Sequence, residues 1–401
     1  MKGRHAICIV LDGLRASALG AYGNTSYPTP RLDSLASRSL VVDWLWADSP
    51  GLQSFYRSIW QGVHALRKHG GTRLTDLLRQ AGVVQWMVTD DQWLAEEASR
   101  MPFDEALLVE TSADQPASAI EETVLAQFFA HALEQVAIWQ EEAAQRKSGS
   151  LLWIHARGLF GPWDAPRAMR AELLEEGDPA PAEYVSAPCE LRQVEDPDEQ
   201  LAHRVAYAAQ VGVADACVGA FLQSLEHALK GSETLLMLLG SRGYALGEHG
   251  AIGGNCQELF GERLHLPWLM HTLGNSMPVA RSTDLAQPAD VGATLIDWMR
   301  LECPAEPHDG LSLVPRLRGE STERRNLAVS AGPKGELAAR TPAWLMRCPQ
   351  SPASAQLFAK PDDRWEFNDV ASRCSGEVEQ LQRSLATFLE VSQTGRPLPR
   401  E

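Results

Sequence analysis

Five side chains have the types that hydrolytic chemistry needs: Asp12, Asp90, Asp91, His249 and Ser54. Asp12 closes an unbroken apolar run, Ala6-Ile7-Cys8-Ile9-Val10-Leu11, and is followed by Gly13. Such a run fits a strand buried on both faces, as in a parallel sheet covered by helices. Ligands of open α/β sheets bind at the carboxyl ends of the strands, so Asp12 is a candidate metal ligand. The competing reading is that it only caps the next turn. Ser54 beside a histidine base such as His249 would form a nucleophile for ester cleavage. Asp90-Asp91 follows a second apolar run, Val83 to Val88. That pair would repel an anionic ester and reads as a solvated loop. His155 follows Leu151-Leu152-Trp153-Ile154 and reads as a satisfied strand-end histidine. Cys189 has no Cys or His neighbour at metal-ligand spacing.

Positioning these groups requires a layered frame. Thr29-Pro30 places a cap residue before a proline at the first helical position, with Leu32, Leu35 and Ala36 as the buried face. Leu40 to Trp46 alternates like a strand. A helix carrying Leu74, Leu77, Leu78 and Ala81 on one face closes at Gly82, before the strand at 83–88. Longer amphipathic helices span about 120–145 and 201–229. Between them, residues 171–200 are acidic, Pro-rich and aperiodic, which predicts a long surface excursion. A strand at Thr234 to Leu239 follows. The 401 residues suit one large domain over 1–322 and a smaller one over 323–401, with short strands at 326–358 and a helix at about 376–391.

Two stretches, DGLRASALGAYGNTSYPTPRLDSLA at 12–36 and LLMLLGSRGYALGEHGAIGGNCQELFGERLHLPW at 235–268, resemble the sulfatase family of the alkaline-phosphatase-like superfamily. DGLSL at 309–313, RGE at 318–320 and KPDDRWEFNDVA at 360–371 extend the resemblance over most of the chain. The fold it implies is α/β and alkaline-phosphatase-like: a large, mainly parallel sheet sandwiched by helices, plus a small C-terminal α+β subdomain. It also implies sulfuric ester hydrolysis by a formylglycine nucleophile beside a calcium ion.

The reactive positions of that family hold other residues here. Anchored on Ser49-Pro50 and Gly62, the nucleophile position falls on Leu52, the arginine position on Tyr56, and Ser54 replaces a proline. Sliding by one residue recovers Arg57 but puts Gln53 at the nucleophile. Leucine has no nucleophilic atom and cannot be oxidised to an aldehyde. The family lysine position falls on Asp90, and its histidine positions on Gln92 and Phe160. Of the metal positions Asp12, Gly13, Ser241 and Arg242, only Asp12 keeps the family residue. Calcium takes roughly six to eight oxygens, which Asp12 and one hydroxyl do not supply. Arg242 brings a fixed positive charge instead. An Asp12–Arg242 ion pair is expected in place of the metal, with calcium lost and no cofactor bound.

Changes confined to the chemistry, within a kept frame, predict a catalytically inactive sulfatase-like protein: a pseudosulfatase with a binding, regulatory or partner role. Its partner would be an active sulfatase or a second copy of the chain. Fold does not decide function, and the alternative is a hydrolase of sulfate or phosphate esters with a rebuilt site that uses no formylglycine. A net charge of −16 argues against nucleic acid and anionic membranes as partners. Seven cysteines without a CxxC fit a reducing compartment. The first strand begins directly after Met1 to His5, and no apolar run reaches the ~18 residues of a spanning helix, so a cytoplasmic location is expected. Trp44, Trp46, Trp60, Trp86 and Trp93 are expected to fill the space around the old site as core.

Overall fold

The N-terminal apolar run becomes a central strand of an eight-stranded sheet. The computed structural model describes residues 4–146, 149–229, 233–255, 258–274, 279–302, 308–321, 323–349 and 354–400. Met1–Gly3, Thr322 at the expected domain boundary, and residues 350–353 within the expected C-terminal strands lie outside them.

The first part of the chain forms β1 (His5–Leu11), α1 (Pro30–Ala36), β2 (Leu40–Trp46), α2 (Leu52–Gln61), α3 (Leu74–Gln80), β3 (Val84–Thr89), α4 (Gln92–Ser99) and β4 (Glu105–Leu108). Next come α5 (Val124–Arg146), β5 (Ser150–Ala156), α6 (Arg167–Ala171), β6 (Arg192–Gln193), α7 (Pro197–Ala228), β7 (Thr234–Gly240), β8 (Ala245–Leu246) and β9 (Ala251–Gly253). The last part adds α8 (Gly261–Leu264), β10 (His265–Leu273), β11 (Ala280–Ala286), α9 (Pro288–Met299) and α10 (Val314–Leu317). It ends with β12 (Ala328–Ala331), β13 (Leu337–Arg340), β14 (Trp344–Cys348), β15 (Gln356–Ala359) and α11 (Ser375–Ser392).

The large sheet has the order β11-β2-β10-β7-β1-β5-β3-β4. Every neighbouring pair in it is parallel except those made by β10, which runs against both β7 and β2. Successive side chains of a strand point to opposite faces. Accordingly Ile7, Ile9 and Leu11 enter a core shared with α1, α5 and α7. Ala6, Cys8 and Val10 enter a second core shared with α2, α3 and α9. This is the helix-covered, mainly parallel sheet that the apolar run called for. The C-terminal subdomain is an antiparallel sheet β12-β13-β14-β15, with Leu381, Leu385 and Phe388 of α11 buried against Val329, Met346 and Leu357.

One cap and two helix starts differ from the sequence reading. Thr29 does not cap α1 with its side chain; its Oγ1 accepts from Gly20 N (3.0 Å) and donates to Asp33 (3.1 Å). α5 begins at Val124 because the Asp164 carboxylate, from the loop after β5, accepts Val124 N at 2.6 Å. α7 begins at Pro197, inside the expected excursion, because Asp196 accepts from Asp198 N at 3.0 Å and Pro197 opens the helix. The excursion also packs down more than expected, with Val185, Ala187 and Val194 buried. α7 has the length and apolarity to cross a membrane by composition alone, but most of its apolar stretch is buried against α1, α5 and α6.

Candidate functional site

The carboxyl ends of β1, β5, β3 and β7 carry Asp12, His155, Asp90 and Ser241-Arg242 to one edge of the sheet. Asp12 N donates to Ala156 O at 2.9 Å, which fixes the exit of β1 beside β5. The Asp12 carboxylate is fully buried and takes three donors. Arg242 approaches it as a fork, Nε to Oδ1 at 2.9 Å and Nη2 to Oδ2 at 2.7 Å, and Ser241 Oγ donates to Oδ1 at 2.7 Å. Burial by itself raises the Asp12 pKa, but the Arg242 charge and its hydrogen bonds hold the carboxyl below its ordinary value. Phe160 lies over the same guanidinium, its ring centroid 3.4 Å from Cζ. Phe160, expected at a family histidine position, thus stacks on Arg242, expected at a family metal position.

Gly13 has φ +80°, and a Cβ there would sit 2.9 Å from the carbonyl carbon of Leu159. Its own carbonyl accepts the Tyr207 hydroxyl at 2.9 Å. A second carboxylate beside Asp12 therefore has neither the backbone conformation nor the room it needs.

Leu52 is the first residue of α2, and Gly62 ends that helix in a left-handed conformation. One turn inside, Tyr56 is buried. Trp153 Nε1 donates to its hydroxyl at 3.1 Å, and the hydroxyl lies 2.8 Å from His155 Nδ1. The indole can only donate, so the hydroxyl accepts there and makes its second hydrogen bond with His155 Nδ1. Burial lowers the His155 pKa. Arg57, the arginine of the slid register, instead donates to Ala65 O at 3.2 Å and Arg67 O.

Asp90 and Asp91 are not the solvated loop pair read from the sequence. Asp90 Oδ1 accepts Arg157 N at 2.7 Å, and burial lifts its carboxyl to about 6. Asp91 is the N-cap of α4, accepting Leu94 N at 2.8 Å. Gln92 lies on the exposed side of that helix and bonds Glu96 at 2.8 Å. His249 stacks flat on Phe260, with centroids 3.5 Å apart, and bonds Glu262 through Nδ1 at 2.9 Å. Burial alone would lower its pKa, but the Glu262 carboxylate raises it overall. The tryptophans divide. Trp93 borders the site, Trp60 packs on Tyr56, Trp86 donates to Glu142, and Trp44 and Trp46 line a separate cavity.

A cleft of about 650 Å³ opens at this edge and brings together Leu52, Ser54, Asp91, Trp93 and Arg242. Tyr56, Asp90, Gln92, Phe160 and His249 do not line it, and no histidine does among the described residues. Ser54 thus has no imidazole base beside it there. Sequence reasoning missed the Tyr56–His155 pair and the Phe160 stack, since both join residues distant in the chain with no local signature.

The sulfatase family model matches residues 4–301. The chain belongs to the sulfatase family. Its fold is similar to the phosphonate monoester hydrolase of Agrobacterium radiobacter, at a TM-score of 0.75 and 15% identity, covering 96% of this chain and 95% of that one. The phosphonate monoester hydrolase from Silicibacter pomeroyi gives 0.74 and 16%, covering 96% and 94%. A 2-O GAG sulfatase gives 0.72 and 16%, covering 100% and 96%. Among curated proteins, no sequence matches the chain.

The calcium ion that the sulfatase resemblance implies does not fit the residues present. Both oxygens of Asp12 face the Arg242 fork, and Gly13 leaves no space for a carboxylate. Among the described residues, no group of three or more His, Cys, Asp or Glu is placed to hold a metal ion. The two motif stretches meet in the fold: Arg15 of the DGLR stretch forms an ion pair with Glu248 of the LGEHG stretch.

Proposed function

We propose that this protein is a pseudosulfatase: a sulfatase-family chain that binds at its cleft without hydrolysing, in a regulatory or partnering role. The observation that carries this reading is the Arg242 guanidinium, forked onto Asp12 and covered by Phe160. It puts a permanent cation where the family chemistry needs a divalent metal, and it uses the one retained carboxylate. At the nucleophile position, Leu52 has no atom to attack sulfur or phosphorus. The cleft remains open, with the uncapped first turn of α2 and Arg242 on its wall. Both favour an oxyanion or ester group as its occupant.

The test is turnover of 4-nitrophenyl sulfate, 4-nitrophenyl phosphate and a 4-nitrophenyl phosphonate monoester, with elemental analysis after dialysis into calcium. The expected result is no hydrolysis above buffer and no stoichiometric metal. Turnover that Asp12→Asn abolishes would overturn the proposal in favour of a rebuilt hydrolase.

A further inference from the structure

A second cavity, of about 220 Å³, lies between the large sheet and the C-terminal subdomain, apart from the cleft. Its walls come from the segment after β1 (Ser17, Tyr22), from β2 (Trp44, Trp46) and from the start of β10 (His265). Arg340 at the end of β13, and Lys360 to Glu366 of the KPDDRWEFNDVA stretch, complete it.

The feature that demands an explanation is Arg340. Its side chain is 1% exposed, and Nε and Nη2 have no hydrogen-bond partner. The third nitrogen, Nη1, makes one long contact of 3.5 Å to Trp344 O. Of the other buried arginines, Arg67, Arg325 and Arg347 pair with Asp309, Asp290 and Glu336, and Arg170 is held by the Ala182 and Trp163 carbonyls. A buried charge without a carboxylate on it is costly; here the Trp44 and Trp46 rings, with centroids 4.8 and 5.7 Å from Cζ, and the more distant Glu366 offset it only in part, and two of its nitrogens stay without a hydrogen bond. Glu366 also lines the cavity, but Lys360 and Gly261 N hold its carboxylate. Glu262 is taken by His249. Burial drives the His265 pKa down to about 3, so that ring carries no charge.

Two more donors without partners line the same cavity, Trp46 Nε1 and the hydroxyl of Ser17. The unmet groups are thus chiefly donors, and the Nε/Nη2 edge of a guanidinium is a fork that matches a carboxylate or a phosphate bidentately. The rest of the wall is aromatic and flat. Trp44 stacks on His265 at 4.9 Å, Tyr22 stands edge-on to the same ring, and Trp365, 38% exposed, stands at the rim. An apolar cavity of about 150 Å³ already takes a benzene. This one has the volume for a single ring bearing an acid group. A phosphate dianion would lose far more hydration on entering such a wall than a carboxylate monoanion.

We propose that this cavity is a binding site for a small carboxylate with a flat, ring-sized body, held by the Arg340 fork with Trp46 Nε1 and Ser17 Oγ. The site is independent of whether the cleft hydrolyses esters.

The test uses the full chain, with benzoate as probe and benzamide, acetate and inorganic phosphate as comparisons, read by calorimetry and by thermal melting. Benzoate is expected to bind and raise the melting temperature. Benzamide, which has the ring without the charge, should bind at least tenfold more weakly, as should acetate and phosphate. Arg340→Met removes the fork and should weaken benzoate at least tenfold. Trp46→Phe removes one donor and keeps the ring, and should weaken benzoate three- to tenfold; it carries the test if Arg340→Met does not fold. Arg242→Met, at the other cleft, should leave benzoate affinity unchanged. The proposal is overturned if benzoate does not bind, if Arg340→Met and Trp46→Phe bind it as wild type does, or if phosphate binds more tightly than benzoate.

Discussion

Replacing Arg242 with alanine strips the buried Asp12 carboxylate of its counter-ion, and the size of the effect follows from the contacts. Two charge-assisted bonds of 2.9 and 2.7 Å disappear, leaving only the Ser241 hydroxyl. Removing one partner of a buried pair costs about 3–5 kcal/mol. Arg242 keeps 15% of its side-chain surface exposed, so water enters the gap and the lower end of that range applies. The lost stack on Phe160 adds about 1 kcal/mol, for a total of about 3–4 kcal/mol at pH 7. The pH dependence carries the sign. In the wild type, Arg242 holds the Asp12 pKa below its ordinary value, so the pair stabilises above about pH 4 and is lost only as pH falls through that lowered pKa. In Arg242→Ala, burial is opposed only by the Ser241 hydrogen bond and the nearby His155 and raises the Asp12 pKa, so the penalty is full at pH 7 and shrinks as the carboxyl protonates. Urea unfolding at pH 7 and pH 4.5 measures both values. Adding Asp12→Asn to the variant should recover most of the loss at pH 7. An unchanged midpoint at pH 7, or an equal deficit at both pH values, would refute the reasoning.

Two other substitutions probe the same edge of the sheet. Gly13→Ala should cost about 2 kcal/mol or more in urea unfolding, since alanine pays for φ +80° and its Cβ would lie 2.9 Å from Leu159 backbone; a neutral result would remove the steric argument against a second carboxylate. Asp90→Asn keeps the acceptor for Arg157 N but removes a charge whose pKa is lifted to about 6. A raised carboxyl pKa means stability that is present below pH 4 and lost as pH rises through 6. The variant should therefore match wild type at pH 4 and exceed it by about 1–2 kcal/mol at pH 8, after discounting for partial exposure; a pH-independent difference would contradict the buried assignment.

The strands and their burial were legible because each rests on local patterning. The run from Ala6 to Leu11 is apolar at every position, and only a strand covered on both faces uses such a run. The motifs DGLR and LGEHG carried the resemblance, and a charged residue of each meets the other as Arg15 and Glu248. Legibility failed where a single side chain had to be placed. Asp90 and Asp91 look alike in sequence, yet one accepts Arg157 N and the other caps α4. Tyr56 and His155 are 99 residues apart, and nothing near either predicts their hydrogen bond.

What the sequence determined on its own was the frame and the identity of the groups present: a sheet with Asp12 at a strand end, and the leucine, glycine, serine and arginine that the sulfatase resemblance sets at reactive positions. Residue types are local facts. The Asp12–Arg242 pair was expected from those types and is present; what only the tertiary structure decided was whether the other buried charges find a partner. Arg242 and Arg340 are both single arginines in apolar surroundings of the chain. One finds Asp12 at 2.7 Å; the other has two nitrogens without a partner in a cavity walled by aromatic rings. Whether a charge is paired depends on distances across the fold, and those are set by packing between elements hundreds of residues apart.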